Sequence, residues 1–508
     1  MLLMAVDLGT SFIKAGVYNE QSECVAIYSE PVRDERPGPG IFIQRGDQLF
    51  ESAVNCIKNV CGQLGEKVKD IQAIAFTGQM AGFMGVDKDW RDITTWSCSL
   101  DSRYIPYAAR QMEFLKDDFL TIAGTNSPQM AGKVEWFKNE FPGESKKIVK
   151  YLMISGYMIG RLSEMPVDDA VIDQTFIQWT GLADVSKREW SADICKALDM
   201  DMDTLPKIVQ SDFICGYLSK AIAGKTGLQS GIPLVSGAGD KAAGCLGAAI
   251  TSPGDMIFEA SSYGALSCCV EEYRPDLKDR RLDVIPAPLP GKYYETNYVP
   301  GSGITLDWFV NTFVRQEGEK LSKAFERVDA EAGKVKPGCN DMMAIGLLGG
   351  SAMPLLSSLR GMWMGFDWSH KQGHFYRALL ESFSYDFTLT EKRLEALYPE
   401  YDLSTVRIIG GGAKSPLWTQ MNADVMGKEF HRLNREDVAM WGAAMLAGSA
   451  IGLFPDIVKT AQKHVKVEQV YHPDMKMNET YKKHMDLYKQ YTVELTEFFE
   501  RIKKLGKS

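Results

Sequence analysis

Residues 2–18 read LLMAVDLGTSFIKAGVY, and this stretch decides the fold class. Leu2 to Val6 is an unbroken apolar run, short for a helix and suited to a strand buried on both faces. Asp7 ends it, and Gly9-Thr10-Ser11 makes a tight turn. Phe12 to Tyr18 predicts a second strand and Val25 to Ser29 a third, so the chain opens as an antiparallel meander feeding a mixed sheet.

Outward from there, Leu49, Phe50, Ala53, Val54, Ile57 and Val60 recur at helical spacing within Gln48 to Leu64, and Ile71 to Phe76 predicts another buried strand. Strand and helix signals then alternate, which predicts α/β layers. Near Ser230 the plan restarts. Ile232 to Val235 is a strand, Ser236-Gly237-Ala238-Gly239-Asp240 a turn, and Ala242 to Ala249 a helix of small residues. Met256 to Ala260 and Ala265 to Val270 repeat the opening strand–turn–strand, and Val406 to Ile409 runs into Gly410-Gly411-Gly412. This echo predicts duplicated halves with a boundary near residue 250, taken as domains 1–248 and 249–508. The Lys/Glu-rich tail after Tyr471 reads as an amphipathic helix with a solvated face.

Composition narrows the function. The chain carries 57 Lys and Arg against 66 Asp and Glu, a net charge of −9, which argues against nucleic-acid or anionic-membrane partners. Its 10 cysteines are scattered without a C-x-x-C pair, a pattern of reduced thiols and not of a disulfide framework or zinc site. The N-terminus lacks a basic leader region, and no run of about 18 apolar residues appears, so a cytoplasmic protein is expected. All 6 histidines lie at or beyond residue 370. Acid–base chemistry in the first 369 residues must therefore use a carboxylate, lysine or tyrosine, and a Ser-His-Asp site there is excluded.

Three turns carry candidate chemistry. After the first strand, the amides of Gly9, Thr10 and Ser11 can cradle phosphate oxygens, Asp7 can hold Mg²⁺, and Lys14 can reach the same phosphates; a plain hairpin turn has the same composition. Asp240, between a strand and a helix, is either an N-cap or a general base aimed into a cleft. Gly410-Gly411-Gly412-Ala413-Lys414-Ser415-Pro416 lets backbone lie flat against a purine or an α-phosphate.

In this order the residues resemble the FGGY carbohydrate kinases, of the actin/Hsp70/sugar-kinase ATPase superfamily, and most nearly the xylulokinase branch. The resemblance rests on Asp7 to Lys14, Thr77 to Gly82 (TGQMAG), Lys133 to Glu140 (KVEWFKNE), Gly237 to Gly247, Gly361 to Gly365 with His374 to Glu381, and Gly410 to Gly427. It implies two ribonuclease H-like domains flanking a deep catalytic cleft, with ATP and Mg²⁺ as cofactors and a sugar substrate, and it allows a homodimer. It implies Asp240 as the base that helps ATP phosphorylate a sugar hydroxyl, most naturally on a ketose such as D-xylulose. By resemblance, Gln79, Met80, Ala81, Asp101, Arg103 and Lys241 contact the sugar. On the nucleotide side stand Gly9, Thr10, Ser11, Lys14, Ser261, Ser262, Gly303, Gly411, Gly412 and Ala413, with Asp7 at the metal. Four departures bear on the substrate: Ala81 replaces a histidine, Ser99 a tryptophan (Trp96 lies further back), Lys241 an Asn or Gln, and Ala260-Ser261-Ser262-Tyr263 a G-T-S-G loop. They keep open another pentulose, a polyol, an autoinducer-like ligand, or a non-catalytic nucleotide-binding relative. Trp308 is read as a core residue.

Overall fold

The computed structural model describes residues 1–505. The molecule is a mixed α/β protein of two domains, each built on one twisted sheet. In the first sheet the opening strand Leu2–Leu8 is central. It pairs antiparallel with Phe12–Asn19, which pairs with Cys24–Pro31, and parallel with Ile71–Gly78. Pro233–Val235 adds a fifth strand parallel to Ile71–Gly78, and Ile214–Tyr217 closes the edge antiparallel.

The second sheet repeats this order. Met256–Glu259 is central, Gly264–Val270 and Tyr293–Val299 form the meander, and Thr405–Ile409 and Glu429–Leu433 follow in parallel. Val467–Tyr471 closes one edge and Asp283–Pro286 the other. The predicted internal echo is thus a shared strand plan. Residues Leu2 to Val6 are all buried because helices cover both faces of the sheet, which is why the sequence shows a continuous apolar run without alternation. The helix Gly46–Leu64 buries the predicted stripe of Leu49, Phe50, Ala53, Ile57 and Val60.

Each sheet's fifth strand leads into a helix: Asp240–Gly247 in the first half, Val438–Ala450 in the second. These two helices pack on one another at the domain seam. They meet backbone to backbone: a Cβ on Gly442 would fall on the carbonyl oxygen of Ala243, and one on Gly247 on that of Val438. Only glycine permits so close a crossing. The tail forms the helix Met475–Leu505, burying Tyr481, Met485 and Tyr488 on one face. Trp308 departs from expectation. It is 38% exposed, edge-on to Phe313 and stacked on Trp363, because its helix Ser302–Phe309 turns that face outward.

Candidate active site

Between the two sheets lies a cleft of about 770 Å³, built from turns that end strands of both halves. Asp7 and Lys14 reach it from the first sheet, Glu259, Ser261 and Gly410 from the second, and Asp240, Lys241 and Asp437 from the seam. The turns lie at the C-terminal ends of parallel strands, where open α/β sheets place their ligands.

Asp240 begins its helix and does not cap it. Gly239 holds the cap position, while among the described residues Asp240 Oδ1 accepts the neighbouring Lys241 amide alone, at 2.8 Å. Met80 seals the turn from behind, with its Cγ 2.5 Å from where a Gly239 side chain would begin. Enclosure pushes the Asp240 carboxyl up to about 7; Lys241 opposes this, and Glu259 and Asp7 add to it. A carboxylate so placed can take a proton near neutral pH. Burial likewise raises Asp7 against the pull of Lys14, whose Nζ lies 3.5 Å away.

The cleft lining holds five carboxylates (Asp7, Asp240, Glu259, Glu436, Asp437) against two lysines (Lys14, Lys241). Among the described residues no group of three or more His, Cys, Asp or Glu is arranged for a metal. A cation would be held here by one or two carboxylates with phosphate oxygens and water, the habit of Mg²⁺, and Asp7 fits that role.

Several predicted residues shape the site without lining it. Gln79 takes a 3.3 Å hydrogen bond from Thr10 Oγ1 and gives one to Gln44, whose amide in turn donates to the Thr10 carbonyl at 2.8 Å. It therefore ties the first phosphate-type turn to the wall carrying Met80 and Ala81, both buried. Gly303 lets the helix Ser302–Phe309 approach the second turn: its amide donates to the Ser261 carbonyl, and a side chain there would begin 2.5 Å from that oxygen. Ser261 Oγ donates to the Tyr263 carbonyl, and Ser262 is exposed. Gly410, at φ +95°, crosses beside the Ala260 carbonyl and lines the cleft. Gly411 is open to solvent, while Gly412 packs on Trp418 and Ala413 is buried. Ser415 caps the following helix by accepting the Trp418 amide.

Asp101 and Arg103 are not among the cleft-lining residues. Asp101 is 1% exposed, with both oxygens held by the Arg103 guanidinium at 2.8 and 2.6 Å and a further bond from Ser97. Arg103 also stacks on Trp136, 4.3 Å from the ring centre. Lys133 closes the group from below by donating to the carbonyls of Ser97 and Cys98, and burial pushes its ammonium down to about 8.

Sequence reasoning missed Glu259, a lone acid ending the apolar strand Met256–Glu259, which forms an ion pair with Lys241. It also missed Asp437, which accepts the Tyr18 hydroxyl at 2.6 Å beside Arg435. Neither carries a motif; only the echo of a strand leading into a helix would have pointed to Asp437.

The chain matches the family model described as "FGGY family of carbohydrate kinases, N-terminal domain" over residues 2–247, and its C-terminal counterpart over residues 262–451. It is 28% identical over 499 residues to the xylulose kinase of Bacillus subtilis (strain 168), covering 96% of each chain. Among solved structures, a gluconate kinase from Lactobacillus acidophilus matches with a TM-score of 0.89 at 21% identity over 99% of both chains. A xylulose kinase from Rhodospirillum rubrum matches with a TM-score of 0.89 at 22% identity, over 98% of this chain and 100% of that one. No helix among the described residues is long and apolar enough to cross a membrane.

Proposed function

The chain belongs to the FGGY family of carbohydrate kinases and is a carbohydrate kinase; from that premise we propose that it transfers the γ-phosphoryl group of ATP to a hydroxyl of a small ketose such as D-xylulose, with Asp240 as general base. The observation that carries this reading is the state of Asp240: it faces the cleft, its carboxylate is committed to one backbone amide, and its proton affinity is poised near 7. Asp240 takes the proton as the acceptor oxygen approaches the γ-phosphorus in line, and ADP leaves on the far side. The amides near Gly9, Thr10, Ser11, Ser261 and Ser262, together with Lys14, stabilise charge on the transferring oxygens. Such catalysis is mostly positioning and electrostatics. Mg²⁺, arriving with ATP and organised by Asp7, would neutralise phosphate charge.

In the same reading residues 1–248 form the sugar side, with Gln79, Met80, Ala81, Asp101, Arg103 and Lys241 around the acceptor. Residues 249–508 form the nucleotide side, with the Gly410–Ala413 turn against the adenosine. The experiment is coupled ADP release across ketoses, aldoses, polyols and sugar acids, with Asp240→Asn beside the wild type. Turnover of a ketose that vanishes in the variant supports the proposal. Retention of more than about a tenth of wild-type kcat by the variant removes Asp240 from the base role.

A further inference from the structure

Lys241 is the first residue after Asp240, and its ammonium is held on two sides. Glu259, from the opposite domain's central strand, forms an ion pair with it, and the Tyr298 ring centre lies 5.9 Å from its Nζ. Both partners are largely enclosed, with side-chain exposures of 18% and 13%. The other basic side chain expected at the acceptor, Arg103, has both ends of its fork on Asp101. Lys241 and Arg103, the two cations expected at the acceptor, thus each already face a carboxylate of the protein.

Charge around the base makes the same point. With Asp240 ionised, as its role as base requires, the cleft lining carries more carboxylates than lysines before ATP adds its own charge. An anionic acceptor would enter against that field and would have to displace a buried carboxylate to gain a partner; a hydroxyl-rich neutral acceptor meets neither cost.

Resting on the kinase reading above, we propose that the acceptor is a neutral polyhydroxylated molecule, and that Glu259 enforces this choice by holding Lys241 so that sugar acids are rejected. Glu259 is a positioning residue, since it acts through Lys241. The inference separates the two chemistries named among the similar proteins, where a neutral ketose and a sugar acid both occur.

The test is kcat/KM for D-xylulose and xylitol against D-gluconate and D-xylonate. Wild type should favour the neutral set by at least about tenfold. Glu259→Gln frees the ammonium and should move the ratio toward the acids by roughly tenfold, chiefly through KM. Lys241→Met leaves Glu259 unbalanced and should move the ratio the other way. Lys241→Met/Glu259→Leu keeps the net charge and should retain the wild-type preference. Opposite shifts in the two single variants exclude general structural damage, which would lower both classes alike. Wild-type preference for D-gluconate would overturn the inference while leaving the kinase reading intact. So would a ratio unchanged within twofold in both single variants. Failure of the base assignment shows instead in Asp240→Asn.

Discussion

Asp240 and Asp437 occupy corresponding places in the two halves. Each stands where a fifth strand gives way to the helix at the seam, and each lines the cleft. Asp437 is bonded by the buried Tyr18 hydroxyl and faces Arg435 at 3.4 Å. Asp240 accepts one backbone amide, with the Lys241 ammonium and the carboxylates of Glu259 and Asp7 as its charged neighbours. One plan of backbone has therefore produced a fastened aspartate and a free one. On the proposed reading their difference teaches that reactivity comes from what a carboxylate is denied, since a half-buried charge with few partners is costly to keep and available to do chemistry.

Replacement of the free aspartate should give the largest effect. Asp240→Asn is expected to lower kcat by about 10²–10⁴-fold while ATP affinity stays within a few-fold, measured by ADP release and nucleotide titration. Next in size is the pH response. Asp240 must be deprotonated to act, so kcat/KM should fall as pH drops below about 7, by roughly tenfold per unit; a flat profile down to pH 5 would remove the distinction between the two aspartates.

Asp437→Ala should do the reverse of the first variant. It orphans the Tyr18 hydroxyl, costing about 1–3 kcal/mol of stability by denaturant titration, with kcat kept within about fivefold. The stability effect of Asp240→Asn has the opposite sign. Because the folded protein raises this carboxyl above its unfolded value, the charged form is penalised fully above about pH 7, and the penalty fades as pH falls toward 4. The variant should melt slightly above wild type at pH 8, by about 2 °C, and level with it near pH 4. If both aspartates behaved alike in these assays, their contrast in bonding would carry no chemistry.

The central strands and the opening meander were legible because both faces of the sheet are covered, so each central strand prints as an apolar run and a glycine-rich turn marks its end; the order of strands in each sheet was not. The position of Asp7, Lys14, Asp240 and Gly410 at or near strand ends that meet in one cleft was legible for the same reason: strand-to-turn junctions are local. Asp101 and Arg103 drew attention as a pair on an extended segment, yet they satisfy one another and Lys133, a closed arrangement that spacing alone does not distinguish from an open one. Glu259 was invisible because its meaning lies in Lys241, eighteen residues away and across the seam. Trp308 was misplaced because hydrophobicity reports the cost of exposure and not which face its helix turns outward.

Gly247 and Gly442 bring two helices together through bare backbone, with no room for a side chain between them. Any side chain at either position would put an atom where a carbonyl oxygen already stands, so the crossing tolerates no added bulk, whereas the cleft walls are built from side chains. Such a joint sets how the halves align through backbone alone, separately from the side chains that decide which molecule fits between them.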